Sequence, residues 1–151
     1  MQLKMDATSL EAFIAREFPQ VAQDFSVDEV GEELVVRMHV HERHLRPGGT
    51  VSGPNMFALA DVGIYLAILS RLGPVALAVT TGASVDFMRK PEAGRDLVAK
   101  VRLLKLGRVL AVGDVLIYSD GQTEPVARAS MTYSIPPQAG QGRNRPPDGD
   151  E

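Results

Sequence analysis

The spacing of apolar residues changes several times along these 151 residues, and each change marks an element. Leu10, Phe13, Ile14 and Phe18 recur at helical spacing, so a helix is predicted over about residues 8–18, capped by Thr8 or Ser9 and stopped by Pro19. From Leu34 to His41 the period drops to two, with Leu34, Val36, Met38 and Val40 on one side, which predicts a half-exposed strand. Between Arg46 and Pro54 three glycines and two prolines impose a loop, and Pro54 then suits the start of a helix. That helix should run to about Leu72, where Gly73-Pro74 ends it. Its residues are apolar on nearly every side, the pattern of a helix buried all round. Beyond it, alternation returns over Val75 to Phe87, Leu97 to Leu106, Val109 to Ser119 and Val126 to Ile135, with Gly107-Arg108 and Asp120-Gly121 as turns.

One long apolar helix followed by hairpin-connected strands predicts an α+β fold in which an antiparallel sheet of five to six strands wraps the helix. The helix covers one face of such a sheet and leaves its edges unpaired, so association with a second copy is expected. Residues 1–135 read as a single domain with the first helix as a cover. From Pro136 onward almost nothing is apolar, so 136–151 read as a disordered tail.

Composition narrows the function. A net charge of -3 gives no dense basic stripe, which argues against a nucleic-acid partner. The absence of cysteine removes disulfides, thiolate metal sites and a cysteine nucleophile. The first residues lack the unbroken apolar block of a secretory signal, and the longest apolar stretch, near 56–69, is interrupted by Asp61. A cytoplasmic protein without a membrane partner is expected.

Asp61 is the informative residue. A carboxylate two turns into an apolar helix must find donors, take up a proton or face a cleft; a buried structural acid paired with an arginine is the plain alternative. The loop Gly48-Gly49-Thr50-Val51-Ser52-Gly53 feeds the same helix, whose free N–H groups and positive dipole end can stabilise a carbonyl oxygen. The two features lie roughly 10 to 12 Å apart by helix rise. One subunit would struggle to bring both onto one carbonyl, so a site shared between two helices of a dimer is expected. The loop is neither a P-loop nor a dinucleotide fingerprint.

These residues resemble the PaaI-type thioesterases of the hotdog superfamily, from about Leu34 to Ile135. That family's pattern is an Asn, a Gly-containing loop, His-Gly-Gly, and an Asp nine residues after the His within Leu-x-Asp. Here Arg46 stands at the Asn position, Ser52-Gly53-Pro54 at His-Gly-Gly, and Leu59-Ala60-Asp61 supplies the acid. Thr80 to Pro91 is similar to the family's strand segment with its Phe-x-Arg-Pro ending, and Gly107-Arg108 and Val126-Ala127 extend the likeness. The resemblance implies a hotdog fold and a homodimer or homotetramer. It also implies an acyl-CoA thioester as small-molecule substrate, its carbonyl held by the Gly53 N–H. Asp61 would attack or activate water, with Thr80 placing that water. Coenzyme A enters as part of the substrate, and no cofactor or metal is required.

The remaining candidates are weighed on their own chemistry. Asn55 is a candidate donor in place of the histidine side chain that Ser52 lacks. Arg89 and Lys90, then Arg108, are candidates for the phosphates of coenzyme A, since guanidinium groups recognise phosphate well; a solvated charge is the ordinary reading of each. Ser52 as a serine nucleophile lacks Gly-x-Ser-x-Gly and its strand context. His39 and His41 share a face without an evident further ligand. Two other functions stay open: an acyl-CoA-binding hotdog protein with little turnover, and a hotdog dehydratase, which would place a His where Leu66 stands.

Overall fold

The structure is a computed structural model that describes residues 2–137; the expected tail lies, from residue 138 on, outside the described residues. Helix α1 spans Ala7–Glu17 and buries Leu10, Phe13 and Ile14. Its N-cap is Asp6 rather than Thr8 or Ser9: the Asp6 carboxylate accepts the Ser9 N–H at 2.9 Å while Ser9 Oγ accepts the Asp6 N–H at 2.9 Å. This reciprocal box satisfies two donors at once and draws the start of the helix forward.

Strand β1 (Phe25–Glu29) went unassigned in the sequence, where Phe25 and Val27 give only two alternating apolar positions. Strand β2 (Glu33–Met38) stops before His41; beyond it the Val40 N–H is taken by the Asp96 carboxylate at 3.0 Å. Helix α2 (Gly53–Leu72) starts on Ser52 as N-cap and ends on Gly73 at φ 90, a conformation that suits glycine. Strands β3 (Val79–Phe87), β4 (Leu97–Leu106), β5 (Leu110–Ser119) and β6 (Ala127–Ser134) complete one antiparallel sheet in the order β1-β2-β4-β5-β6-β3. Residues 75–78 stay outside β3, because the Ala78 N–H closes a turn onto the Val75 carbonyl.

The sheet curls around α2. Leu59, Ile64, Leu66, Ile68 and Leu69 have no exposed surface, and each buried aliphatic side chain contributes about 1.5–3 kcal/mol. Although α2 is long and apolar enough to cross a membrane, most of it is buried within the fold. Close approach to the sheet depends on two glycines: a Cβ on Gly63 would lie 2.7 Å from Val101, and one on Gly113 would lie 2.5 Å from Ile64. With so much apolar burial holding α2 in place, the helix can carry one carboxylate at the edge of the core.

Strand β3 departs from the rest of the sheet. It is the last strand on its side, and most of its residues are exposed, including Val79 and Phe87. A bulge interrupts its pairing with β6: Thr80 pairs with Tyr133, but Gly82 pairs with Thr132. The extra residue, Thr81, changes which face the strand start presents. Strict alternation would set Thr80 on the face opposite Ala83. In the structure Thr80 and Ala83 pair with Tyr133 and Met131, both buried on the helix-facing side, so both look toward α2.

Candidate active site

The bulge delivers Thr80 to Asp61. Thr80 Oγ1 donates to Asp61 Oδ1 at 2.5 Å, and the phenol of Tyr133 donates to the same oxygen at 2.7 Å while lying 3.0 Å from the Asp61 carbonyl. No arginine pairs with this carboxylate among the described residues, which disposes of the plain structural ion pair. Hydrogen bonds to a charged group are worth about 1.5–3 kcal/mol each, enough to hold the carboxylate in one orientation. Among the described residues Oδ2 receives no donor. Burial, above all, pushes the Tyr133 phenol well above its ordinary range, so it remains a donor.

Asp61, Thr80 and Tyr133 form the polar end of a cavity of about 400 Å³. Its remaining wall is largely apolar: Ile14 from α1, Phe18 at its C-cap, Val21 beyond it, Phe25 from β1, and Tyr65 and Leu77. Phe18 meets the Tyr65 ring edge-on at 5.7 Å, and burial, then the charge of Glu17, pushes the Tyr65 phenol up to about 12. The first helix is thus more than a cover, since it supplies one side of the space beside the carboxylate.

The start of α2 lines a second cavity, of about 340 Å³, with Arg46, Thr50, Gly53, Met56, Phe87 and Lys90 on its walls. The Gly53 N–H, in the first turn, has no partner within its helix. A Cβ at Gly53 would lie 3.3 Å from the Phe87 ring, so glycine keeps this corner open. Arg89 also lines the cavity, but it is tied to Glu124 and to the Pro125 carbonyl, both at 2.9 Å. Arg46 and Lys90 form no salt bridge among the described residues. Arg108 sits elsewhere, in the β4–β5 turn at the end of the sheet where β3 starts and two strands away from it, on no wall of this cavity.

Ser52 and Asn55 build the loop. Ser52 Oγ accepts the Asn55 backbone N–H at 3.3 Å and its amide at 2.8 Å, the duty of an N-cap. The Asn55 amide nitrogen also donates to the His44 carbonyl at 3.1 Å, which commits both its hydrogens inside the loop. As a donor to a bound carbonyl Asn55 has none to spare, because the helix cap and the loop carbonyl take them. The His39 ring is likewise engaged, its Nε2 2.9 Å from Ser26 Oγ, whereas it is the backbone N–H of His41 that donates to His44 Nδ1, at 2.9 Å.

Two groups escaped the sequence reading. Tyr133 was visible only as one apolar position in the last strand, though a buried tyrosine hydroxyl usually needs a partner. The buried pair His44 and Asp24, 3.3 Å apart and joined by Arg43, anchors the loop that leads to Gly53. Neither residue sits in a recognisable motif, so nothing local pointed to them.

Comparison with known proteins identifies the family and the fold. The sequence model of the thioesterase superfamily matches residues 48–126, a span that holds the loop, α2 and strands β3 to β5. The chain belongs to the thioesterase superfamily. A Pseudomonas aeruginosa protein named as an esterase is 31% identical over 112 residues, covering 74% of this chain and 82% of its own length. A crystal structure from a Silicibacter species, named as a thioesterase, is 60% identical with a TM-score of 0.85, covering 91% of this chain and 96% of its own. A mutant of the phenylacetic acid degradation protein PaaI from Thermus thermophilus is 30% identical with a TM-score of 0.66, covering 78% of this chain and 99% of its own. This thioesterase therefore has the hotdog fold and the PaaI-type likeness that its motifs implied, and thioester hydrolysis is its class of activity.

Proposed function

We propose that this thioesterase hydrolyses acyl-CoA thioesters at a site completed by two copies of the chain, with Asp61 as general base or nucleophile. The observation that carries the reading is the Asp61 carboxylate itself: Oδ1 is held by two hydroxyls, Oδ2 receives no donor among the described residues, and the residue lines a largely apolar cavity. Such a group can take a proton from water or attack a carbonyl carbon. The acyl group would occupy the apolar cavity, with the thioester carbon beside Oδ2. Thr80 gives its own proton to Asp61 and keeps lone pairs with which to receive a hydrogen from the water. Addition of water and loss of the sulfur give a carboxylic acid and a free thiol, the proton held by Asp61 passing to the departing sulfur.

The edge strand supports a shared site. Asp61 is bonded at the Thr80 end of β3, whereas Gly53 packs near Phe87 at the other end. On α2 itself Gly53 and Asp61 are roughly 12 Å apart by helix rise, too far for one carbonyl. If β3 of two copies pairs antiparallel along the exposed edge, each Thr80 end lies beside the partner's Phe87 end. The partner's Gly53 N–H then faces the carbonyl from across the interface, and the cavity with Arg46 and Lys90 continues toward the phosphates of coenzyme A.

Free-thiol release from a panel of acyl-CoA esters tests the reading. Asp61→Asn should lower the rate by about 100-fold or more, the scale of lost acid–base catalysis. Full activity in Asp61→Asn, or no turnover of any ester, overturns it. Calorimetric binding of the esters without thiol release would instead favour a binding protein. A single turnover in ¹⁸O-labelled water that leaves label in the aspartate identifies covalent attack, because a general base never exchanges its own oxygen.

A further inference from the structure

Beyond Asp61 and Thr80, a third residue acts on the same carboxylate. We infer that Tyr133 is a positioning residue for catalysis: its hydroxyl locks the Asp61 carboxylate to the main chain of α2 so that Oδ2 alone is presented to the substrate. The inference rests on the proposed role of Asp61.

The geometry is specific to that task. A phenol carries one proton, and two acceptors lie within its reach, Asp61 Oδ1 at 2.7 Å and the Asp61 carbonyl oxygen at 3.0 Å. Both belong to one residue, so the hydroxyl ties the side chain of Asp61 to its own backbone and restricts its rotation. Thr80 reaches Oδ1 from the neighbouring strand at 2.5 Å, and the pair Thr80 and Tyr133 are cross-strand partners at the bulge. Two donors from adjacent strands therefore converge on one oxygen. Oδ2 is the oxygen left for chemistry.

Tyr133 is also well placed to hold still. It is 3% exposed, on β6, with its ring 6.3 Å from that of Tyr65 across the cavity wall. A purely structural tyrosine would need only one acceptor for its hydroxyl, and the Asp61 carbonyl alone would serve. The shorter contact goes instead to the carboxylate. Because burial keeps the phenol protonated, Tyr133 cannot itself serve as base near neutral pH, and its influence passes through Asp61. Removing the hydroxyl frees the carboxylate to rotate and leaves Thr80 as its single anchor; small misplacements of a reacting group cost large factors in rate.

The full-length chain carrying Tyr133→Phe tests this by thiol release, with kcat and KM measured separately. The expected result is a fall in kcat of about 10- to 100-fold, the value of a hydrogen bond to a charged group, with KM within about twofold of the parent. Replacing the phenol by an amine donor at the same ring position, Tyr133→4-aminophenylalanine, should restore most of the lost kcat, which a packing role would not predict; it also serves as the informative variant if Tyr133→Phe does not fold. Unchanged kcat in folded Tyr133→Phe overturns the inference, as does equal loss in the phenylalanine and the aminophenylalanine variants. If Asp61→Asn abolishes turnover while folded Tyr133→Phe keeps the parent kcat, this inference fails and the proposed function stands. Activity retained by Asp61→Asn removes the base that both depend on.

Discussion

The two edges of the sheet solve the problem of unpaired backbone groups in opposite ways. Strand β1 is short, carries Asp28 and Glu29, and is tied to its own chain: Glu11 of α1 accepts the Val27 N–H at 2.7 Å, and Ser26 bonds His39. Strand β3 is nearly twice as long, bears Val79 and Phe87 exposed, and has no covering element on its outer side among the described residues. Charged, short and covered edges resist pairing, whereas long apolar ones invite it. The closed edge keeps the fold as one unit; the open edge lies next to both halves of the candidate site. In the proposed shared site the exposed β3 edge is where a second copy would dock, and the same exposure on β1 would be a hazard.

This contrast can be broken at several points. The largest effect should come from separating the copies. If β3 edges complete the site, specific activity falls to near zero on dilution, in step with the mass seen by sedimentation; a fully active monomer would end the shared-site reading. Next, Arg46→Glu together with Lys90→Glu should raise KM for acyl-CoA about tenfold or more, with a weaker salt dependence, while hydrolysis of a small thioester lacking phosphates changes little. Equal losses on both substrates would remove these residues from coenzyme A recognition. Arg89, already paired with Glu124, should matter less in the same assay. The smallest effect belongs to the closed edge. Glu11→Gln should cost about 1 kcal/mol of stability in urea unfolding, through a weakened bond to the Val27 N–H, with kcat intact. A loss of activity there would show that the bond from α1 to β1 also shapes the cavity that α1 lines.

The comparison also separates what could be read from the residues alone. The apolar run from Met56 to Leu69 is all-round hydrophobic, and that pattern has one economical solution in a chain of this size, a helix wrapped by a sheet. Asp61 stood out for the same reason, since a charge inside such a run demands a partner. The start of the helix at Gly53-Pro54 was legible from the glycine and proline of the loop. The termination of α2 at Gly73 followed from local chemistry as well.

Contacts between distant segments decided the rest. Periodicity placed Thr80 on the wrong face, because a one-residue bulge is a property of the pairing of β3 with β6 rather than of either strand. Tyr133 lies 72 residues from Asp61 and looks in sequence like any other core position; only the curl of the sheet brings its hydroxyl onto the carboxylate. Arg89, Lys90 and Arg108 read alike as turn cations, yet Arg89 is neutralised by Glu124 and Arg108 sits at the end of the sheet where β3 starts. Asn55 offered a donor in the sequence that its own loop consumes in the fold. Local patterns determine which segments become helix or strand, since those depend on neighbours a few residues apart. Which side chains share a hydrogen bond depends on register and long-range packing, and these exist only once the chain has closed around its helix.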